Sequence, residues 1–420
     1  MEIPRASIEF IRVRMENKYN PGEKGDADRG IVLIPALIMP KRPEDGTRGG
    51  GGRAAKRPRR RRHLYLVTDD WEQGYSIRKL DLEEDHDADP DAYTDDKEQQ
   101  PAGTLPLVVF RLEAPHEGAH HFAAAFGTKI MALHHTPRRY VPVFDVRTRC
   151  LTFGPRMRRN PSAPIYVPVG DNKLFGLDFR TFQMLHPPPP PVDPNLNIVV
   201  PKWPSWRRLP EPPFAHERVT SHTVHPDGQT ILVSVSNRRT GGTFAFDTAA
   251  SSPEWTRTGD WQLPFRGPAH CDSELDAWVG LARDPDALGH LCSCDVPCAT
   301  DDDGGGQARP AWKLSKEKLF CEDPTEKHVG ATLVHLGGGG CRSRFCLLQC
   351  FSVDGREEGA YKEFMPERER HLLRLTTFSL KYDKNGDLRT AARRRVRSFE
   401  LANAETKYGD FLMNPMAFWM

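Results

Sequence analysis

The 420-residue chain has no long hydrophobic run. Its best candidate, Ile31 to Met39, is interrupted by Pro35 and falls well short of the ~20 residues needed to cross a bilayer. The N-terminus lacks the basic, apolar, small-residue succession of a secretory leader. These two absences lead to the expectation of a soluble protein of the nucleus or cytoplasm, with no membrane contact. Apolar residues make up only 38% of the chain and aromatics 9%, so a large uninterrupted core is not expected. Cysteine is sparse and odd in number, at nine. Cys150, Cys346 and Cys350 sit inside apolar strand-like runs, and this excludes a paired disulfide framework in favour of reduced core thiols. Helical periodicity is also scarce. So are the short signatures of common chemistries: there is no nucleophile elbow, no Walker loop and no Rossmann glycine pattern.

What the chain has in quantity is turn residues and local charge. It carries 34 Gly and 37 Pro, together about 17% of the chain and below the level of wholesale disorder. The net charge is only +2, yet residues 41–62 are strongly basic and 81–98 strongly acidic. Neither block holds enough apolar residues to fold alone. Residues 1–62 read as a disordered basic and glycine-rich extension, 63–401 as the folded domain, and 402–420 as a tail able to supply a closing strand.

From His63 onward, short apolar segments recur between Gly, Pro, Asp and Asn, the pattern of an all-β fold. Six of them end in Asp at a turn: Asp81, Asp145, Asp178, Asp247, Asp295 and Asp383. Asp suits that place because its carboxylate bonds a backbone N–H two residues on. Four-stranded units can be drawn around them. One runs Phe122–Phe126, Ile130–His134, Val141–Val146 and Cys150–Phe153. Another runs Thr220–His225, Thr230–Ser236, Thr243–Asp247 and Trp255–Leu263. Similar units cover 164–210, 269–319 and 329–401. The unit at 64–114 has only three good strands, so Phe411 to Trp419 is the expected donor of its fourth, with Ile31 to Ile38 the alternative. The sum is a β-propeller of about six four-stranded blades. The acidic stretch 83–98, the proline run 187–191 and Asp301 to Gly306 are expected to be surface inserts.

Two details resemble kelch propellers: Trp206-Arg207-Arg208-Leu209-Pro210 at a last strand, and Phe246-Asp247 followed by Trp255. The stretch from 63 to 401 more specifically resembles a plant family expanded in the grasses, the domain of unknown function numbered 1668. The resemblance rests on Arg62 to Leu80, Val143 to Phe153, Gly259 to Leu281, Ala311 to Phe320 and Thr376 to Leu388. It implies a kelch-like propeller and no particular activity. Members of that family tend to begin near the equivalent of Arg62, so 1–52 reads as an extension.

Candidate chemistry is thin. Cys292, Cys294 and Cys298 lack the paired knuckles of a zinc site, and Cys292 and Cys294 would share one strand face as core thiols. The doublets His120-His121 and His134-His135 point to opposite faces of a strand, a poor way to hold one ion. Asp383-Lys384-Asn385-Gly386-Asp387 echoes a calcium loop but has Arg394 where the glutamate belongs, and so reads as a hairpin turn. No catalytic, metal or cofactor-binding residue is assigned. Lys56, Arg57, Arg59, Arg60, Arg61 and Arg62 form a candidate nuclear-import signal. The body lacks a basic stripe with interleaved aromatics, so nucleic acid is not an expected partner.

The functional expectation is therefore a monomeric scaffold or adaptor for a protein partner, leaning away from an enzyme. Its candidate contact residues lie in second-to-third-strand loops: Trp71, Asp70, Arg138, Arg139, Arg238 and Arg239, with Asp284 and Asp286 on the same ring. The alternative is a propeller enzyme or carbohydrate-binding propeller with its site at the central channel, where His222 and Tyr166 are the polar groups expected on inner strands.

Overall fold

Runs rich in Val, Ile, Phe and Thr pleat readily, because branched and aromatic side chains pack well on a strand surface. Here such runs are separated by residues that can turn. Between Val219–Val224 and Thr230–Val235 the turn is Pro226-Asp227-Gly228. Asp227 Oδ1 accepts the backbone N–H of Gln229 at 2.7 Å and of Thr230 at 2.9 Å, while Gly228 takes φ of 68°. Glycine enters that left-handed conformation without the clash a Cβ would bring.

The computed structural model of the chain describes residues 61–71, 74–82, 102–113, 120–134, 141–157, 163–190, 202–237, 241–297, 309–320, 323–337, 343–353, 370–390, 394–401 and 410–420. Among them the fold is nearly all β. The first sheet contains β1 (Leu64–Trp71), β2 (Gly74–Leu80) and β3 (Val108–Glu113). The second is β4 (His120–Ala125), β5 (Lys129–His134), β6 (Val141–Asp145) and β7 (Cys150–Gly154). The third is β8 (Ile165–Val169), β9 (Lys173–Asp178), β10 (Thr181–Leu185) and β11 (Arg207–Arg208). The fourth is β12 (Val219–Val224), β13 (Thr230–Val235), β14 (Gly242–Asp247) and β15 (Trp255–Gly259). The fifth is β16 (Phe265–Asp272), β17 (Ala277–Ala282), β18 (Leu291–Asp295) and β19 (Trp312–Leu314). The sixth is β20 (Glu326–His335), β21 (Ser343–Val353) and β22 (Arg370–Tyr382), with β23 (Leu388–Thr390) and β24 (Arg395–Glu400) both lying along β22. A one-turn helix α1 (Asp410–Met413) then leads into β25 (Met416–Trp419).

Each sheet is an antiparallel meander, and β25 returns to the first one, giving the order β25-β1-β2-β3. Leu64 faces Trp419, Tyr65 faces Phe418, Leu66 faces Ala417 and Val67 faces Met416. The fourth strand missing from the first unit is thus supplied by the C-terminal segment. The first strands of the fourth and fifth sheets pair in parallel through Ser221–Gly267 and His222–Pro268, merging the two into one curled eight-stranded sheet.

Strand alternation explains how the sheets pack. Leu64 and Leu66 point into a cluster with Leu348, Leu373 and Leu412 of the sixth sheet and the C-terminal segment. Tyr65 and Val67 point the other way, against Phe122, Ile130 and Phe144 of the second sheet. The same division recurs between sheets two and three, three and four, four and five, and five and six. Six apolar layers between six sheets close a ring, which is a propeller-like arrangement. None of the helices among the described residues is long and apolar enough to cross a membrane.

Five of the six turn aspartates end or directly follow third strands. The exception is Asp178, which ends the second strand of its sheet. This one displacement shortens the interval between Asp145 and Asp178, because the true third strand there, β10, carries no Asp at its end. Cys292 and Cys294 lie buried in one intersheet layer, and Cys346 and Cys350 in another. Burial pushes Cys294, Cys346 and Cys350 up to about 12, so all three are held as thiols. Asp383 Oδ1 accepts the N–H of Asn385 and of Asp387, closing the hairpin turn that the sequence suggests there. Residues Lys56, Arg57, Arg59 and Arg60, Cys298, His135 and the stretches 83–98 and 301–306 lie outside the described residues, while Arg61 and Arg62 are exposed.

Candidate functional site

In a meander of four antiparallel strands, the second-to-third turn and the connection onward to the next sheet leave on the same face. The other two turns leave on the opposite one. Of the large apolar side chains exposed to solvent among the described residues, Phe153, Trp312, Leu314 and Val396 lie on outer strands, and Leu107 precedes β3. The remaining three share the first face: Phe179 at 53% exposure in the β9–β10 turn, Leu288 at 43% between β17 and β18, and Met413 at 51% in α1.

Phe179 and Arg180 form a two-residue hairpin loop, and Arg180 takes a left-handed φ of 48°. Such a loop has no room to fold its side chains back, so both stand outward. The Arg180 guanidinium lies 5.6 Å from the centre of the Phe179 ring, and the His216 ring meets Phe179 edge-on at 6.0 Å. His216 is buried; its Nδ1 is 3.1 Å from Glu217 and its Nε2 is 3.7 Å from Asp178. The proposed contact residues missed Phe179 and Arg180. The signal that could have found them was the run Asp178-Phe179-Arg180-Thr181 between two apolar strands, too short for anything but a tight turn.

Of the expected contact residues, Asp70 ends β1 on this face, but its carboxylate is enclosed, with 6% exposure. Oδ2 is held by Nε and Nη2 of Arg78, whose Nη1 donates to the Pro106 carbonyl. Asp70 therefore acts as an anchor for the end of β1 and presents little charge to solvent. It also lines a small, mostly apolar pocket, partly open to solvent, where Leu66, Leu348, Phe411, Leu412 and Met416 meet at the ring-closing seam. Trp71 follows at the strand end and pairs its backbone with Gly74. Arg138, Arg139, Arg238 and Arg239 lie outside the described residues. Asp284 and Asp286 are exposed on the same face, with Asp284 Oδ1 accepting the Asp286 N–H at 3.1 Å.

A second group lies on the inner strands. His222, His270 and His335 come from the first strands of three successive sheets, and the rings of His270 and His335 are 6.2 Å apart. His270 Nε2 is 2.8 Å from the Leu333 carbonyl, which can only accept, so this nitrogen carries the proton. Burial pushes His222 and His270 down to about 4, with the neighbouring imidazole adding to the shift in each case. His335 Nε2 stands 3.2 Å from Asp272 Oδ2, in ion-pair range although off the line of a straight hydrogen bond. Burial works to raise the Asp272 pKa, but His335, the Ser343 hydroxyl and the Leu275 N–H together hold it below the usual carboxylate range. The group contains serine, histidine and aspartate, yet Ser343 Oγ donates to Asp272 rather than to an imidazole, so its oxygen is not activated as a nucleophile. No group of three or more His, Cys, Asp or Glu among the described residues could hold a metal ion. What remains is a polar wall in which the imidazoles of His222 and His270, held neutral by burial, can exchange hydrogen bonds with a solute. Tyr166 is tied up elsewhere, its hydroxyl 3.4 Å from the Met157 sulfur.

A profile of the family described as "Protein of unknown function (DUF1668)" matches residues 61–398. The chain belongs to the DUF1668 family. No curated protein matches this DUF1668 chain in sequence. Among solved structures it is similar to two of the extracellular domain of BT4673 from B. thetaiotaomicron, described as a one-component system in one and a hybrid two-component system in the other. Identity is 10% in both, with TM-scores of 0.24 and 0.29. The alignments cover 66% and 80% of the DUF1668 chain but only 36% and 44% of those structures, so it spans less than half their length.

Proposed function

We propose that this DUF1668 protein is a scaffold or adaptor that engages a protein partner through the face carrying its second-to-third-strand turns. The observation that carries the reading is that Phe179, Leu288 and Met413, each more than two-fifths exposed, all lie on that one face, in separate sectors of the ring. Exposed apolar side chains set among polar ones are a mark of interaction surfaces, and Trp and Arg are the residues most enriched at their energetic centres. Trp71, Arg138, Arg139, Arg238 and Arg239 belong to the same proposed surface, as do the exposed Asp284 and Asp286, while Asp70 fixes the strand end beneath. The seats of Trp206, buried, and Trp255, half-buried, support a kelch-like reading of the blades: Trp206 donates to the Pro155 carbonyl at 3.0 Å, and Trp255 packs on Phe182 and Phe246. The test is quantitative affinity capture with the full chain, comparing the native sequence with Trp71→Ala and with the double variant Arg138→Ala, Arg238→Ala. Selective loss of the same captured proteins from folded variants is the expected outcome, and unchanged capture counts against this surface.

A second reading is favoured by one observation. His222, His270 and His335 converge from three inner strands, more polar side chains than the inner-strand sequences suggest. A carbohydrate-binding or catalytic propeller would place its site there. Binding or turnover in a sugar and redox substrate screen, abolished by His222→Phe, would move this reading ahead.

A further inference from the structure

We propose that the sector of this face around Phe179, Arg180 and Arg218 binds an acidic peptide segment that carries an apolar side chain. The inference rests on the scaffold reading and names the kind of partner it takes. The sector is contiguous. Arg180 lies over Phe179, Phe179 meets His216 edge-on, and His216 and Arg218 share one 3-10 turn. The Arg218 carbonyl accepts the Ser236 N–H at 2.8 Å, so the turn is fastened to the end of β13. Both Arg180 and Arg218 are exposed, and neither has an ion-pair partner among the described residues. The acidic groups beside them both lie against His216. Asp178 is enclosed, accepts the Ala163 N–H and lies near His216, and Glu217 reaches back to the other nitrogen of the same ring. The guanidiniums of Arg180 and Arg218 offer forked donors for carboxylates, and Phe179, beneath Arg180 and against His216, offers an apolar anchor.

This chemistry fits a peptide better than a nucleic acid. A base would need the free face of an aromatic ring, and Arg180 already occupies one side of Phe179.

The experiment measures fluorescence anisotropy of the full chain with four labelled probes. These are a short Asp/Glu peptide containing Leu and Phe, the same peptide with Ser at those two positions, a Lys counterpart, and single-stranded oligothymidine. The first probe should bind about tenfold more tightly than the second, and its affinity should fall with added salt. Phe179→Ala and the double variant Arg180→Asn, Arg218→Gln should each weaken it by about tenfold. Asn tolerates the left-handed φ at position 180, so the turn is preserved, and an unchanged melting temperature checks this. Equal binding of the Lys probe, tighter binding of oligothymidine, or self-association of the chain lost in these variants would each overturn the proposal. If the acidic probe fails while Trp71→Ala still abolishes partner capture, this inference falls and the scaffold reading stands.

Discussion

His222 and His270 couple the inner wall to pH. Their ordinary pKa is 6.5, and burial holds both near 4 in the folded protein. The unfolded chain therefore takes up these protons first, and folded stability should fall as pH drops from about 6.5 towards 4. The largest loss is about 3 kcal/mol per histidine, and less in practice because both rings are only partly buried. The Asp272 pKa is lowered as well, from an ordinary 3.8, so its contribution persists until pH falls below the ordinary carboxylate value and is lost only beneath it. Melting temperatures between pH 7.5 and 4.5 should decline, and the double variant His222→Phe, His270→Gln should flatten the decline. An equally steep curve in that variant would assign the acid sensitivity elsewhere. A different constraint acts at Gly330, at the irregularity between β20 and β21. A Cβ there would fall well inside contact distance of the Met413 and Leu412 carbonyl oxygens. These are backbone atoms with no easy way to yield. Gly330→Ala should cost about 1–3 kcal/mol by pushing α1 off β20, read as a lower melting temperature.

At the scale of elements, the C-terminal segment closes the ring. It pairs along β1 from Met416 to Trp419, and His63 and Met420 add reciprocal backbone hydrogen bonds of 2.7 and 3.1 Å. Phe411 fills the layer between sheets one and two, and Leu412 and Ala417 fill the layer between sheets six and one. Burying a large apolar side chain is worth about 1.5–3 kcal/mol. Deleting 408–420 should therefore lower the melting temperature by about 5–10 °C or more, whereas deleting 1–52 should leave it unchanged; the reverse result would give the closing role to the N-terminal piece. Much of this was legible in the chain, because strand alternation and turn chemistry are local. Thr230–Val235 with its Pro-Asp-Gly turn, the thiols of Cys292 and Cys294, and the Asp383 hairpin needed only their neighbours. The inner-strand histidine group was not legible, since His222, His270 and His335 meet only once three sheets stand side by side. The pairing of Asp70 was hidden for the same reason: its partner Arg78 is fixed by cross-strand register, which a linear reading does not display. Phe179 was hidden by the misplaced Asp178, which made a second-strand turn look like a third-strand one.

For the whole molecule, the ring makes every sheet depend on two neighbours, and its one non-covalent joint lies between β1 and β25. The chain end at Met420 stands beside His63, with the Met420 carbonyl accepting the His63 N–H at 2.7 Å. A short linker between these residues would turn the order β25-β1-β2-β3 into a continuous meander like that of the second sheet. New ends can then be opened between Leu401 and Asp410, where the chain passes from the sixth sheet to α1. In such a permuted chain, running from 410 to 420 and then from 63 to 401, all six intersheet layers are retained. If closure depends on strand pairing and the packing of Phe411 and Leu412, the permuted chain should melt within a few degrees of a 63–420 parent and in one cooperative step. A chain ending at 401 should melt earlier and over a broader range, because its first sheet is left with an unpaired edge and an uncovered apolar layer. Differential scanning calorimetry of the three chains separates these cases. A permuted chain as unstable as the truncated one would show that closure needs the covalent link through 402–409, and the strand-exchange account of the joint would then be wrong.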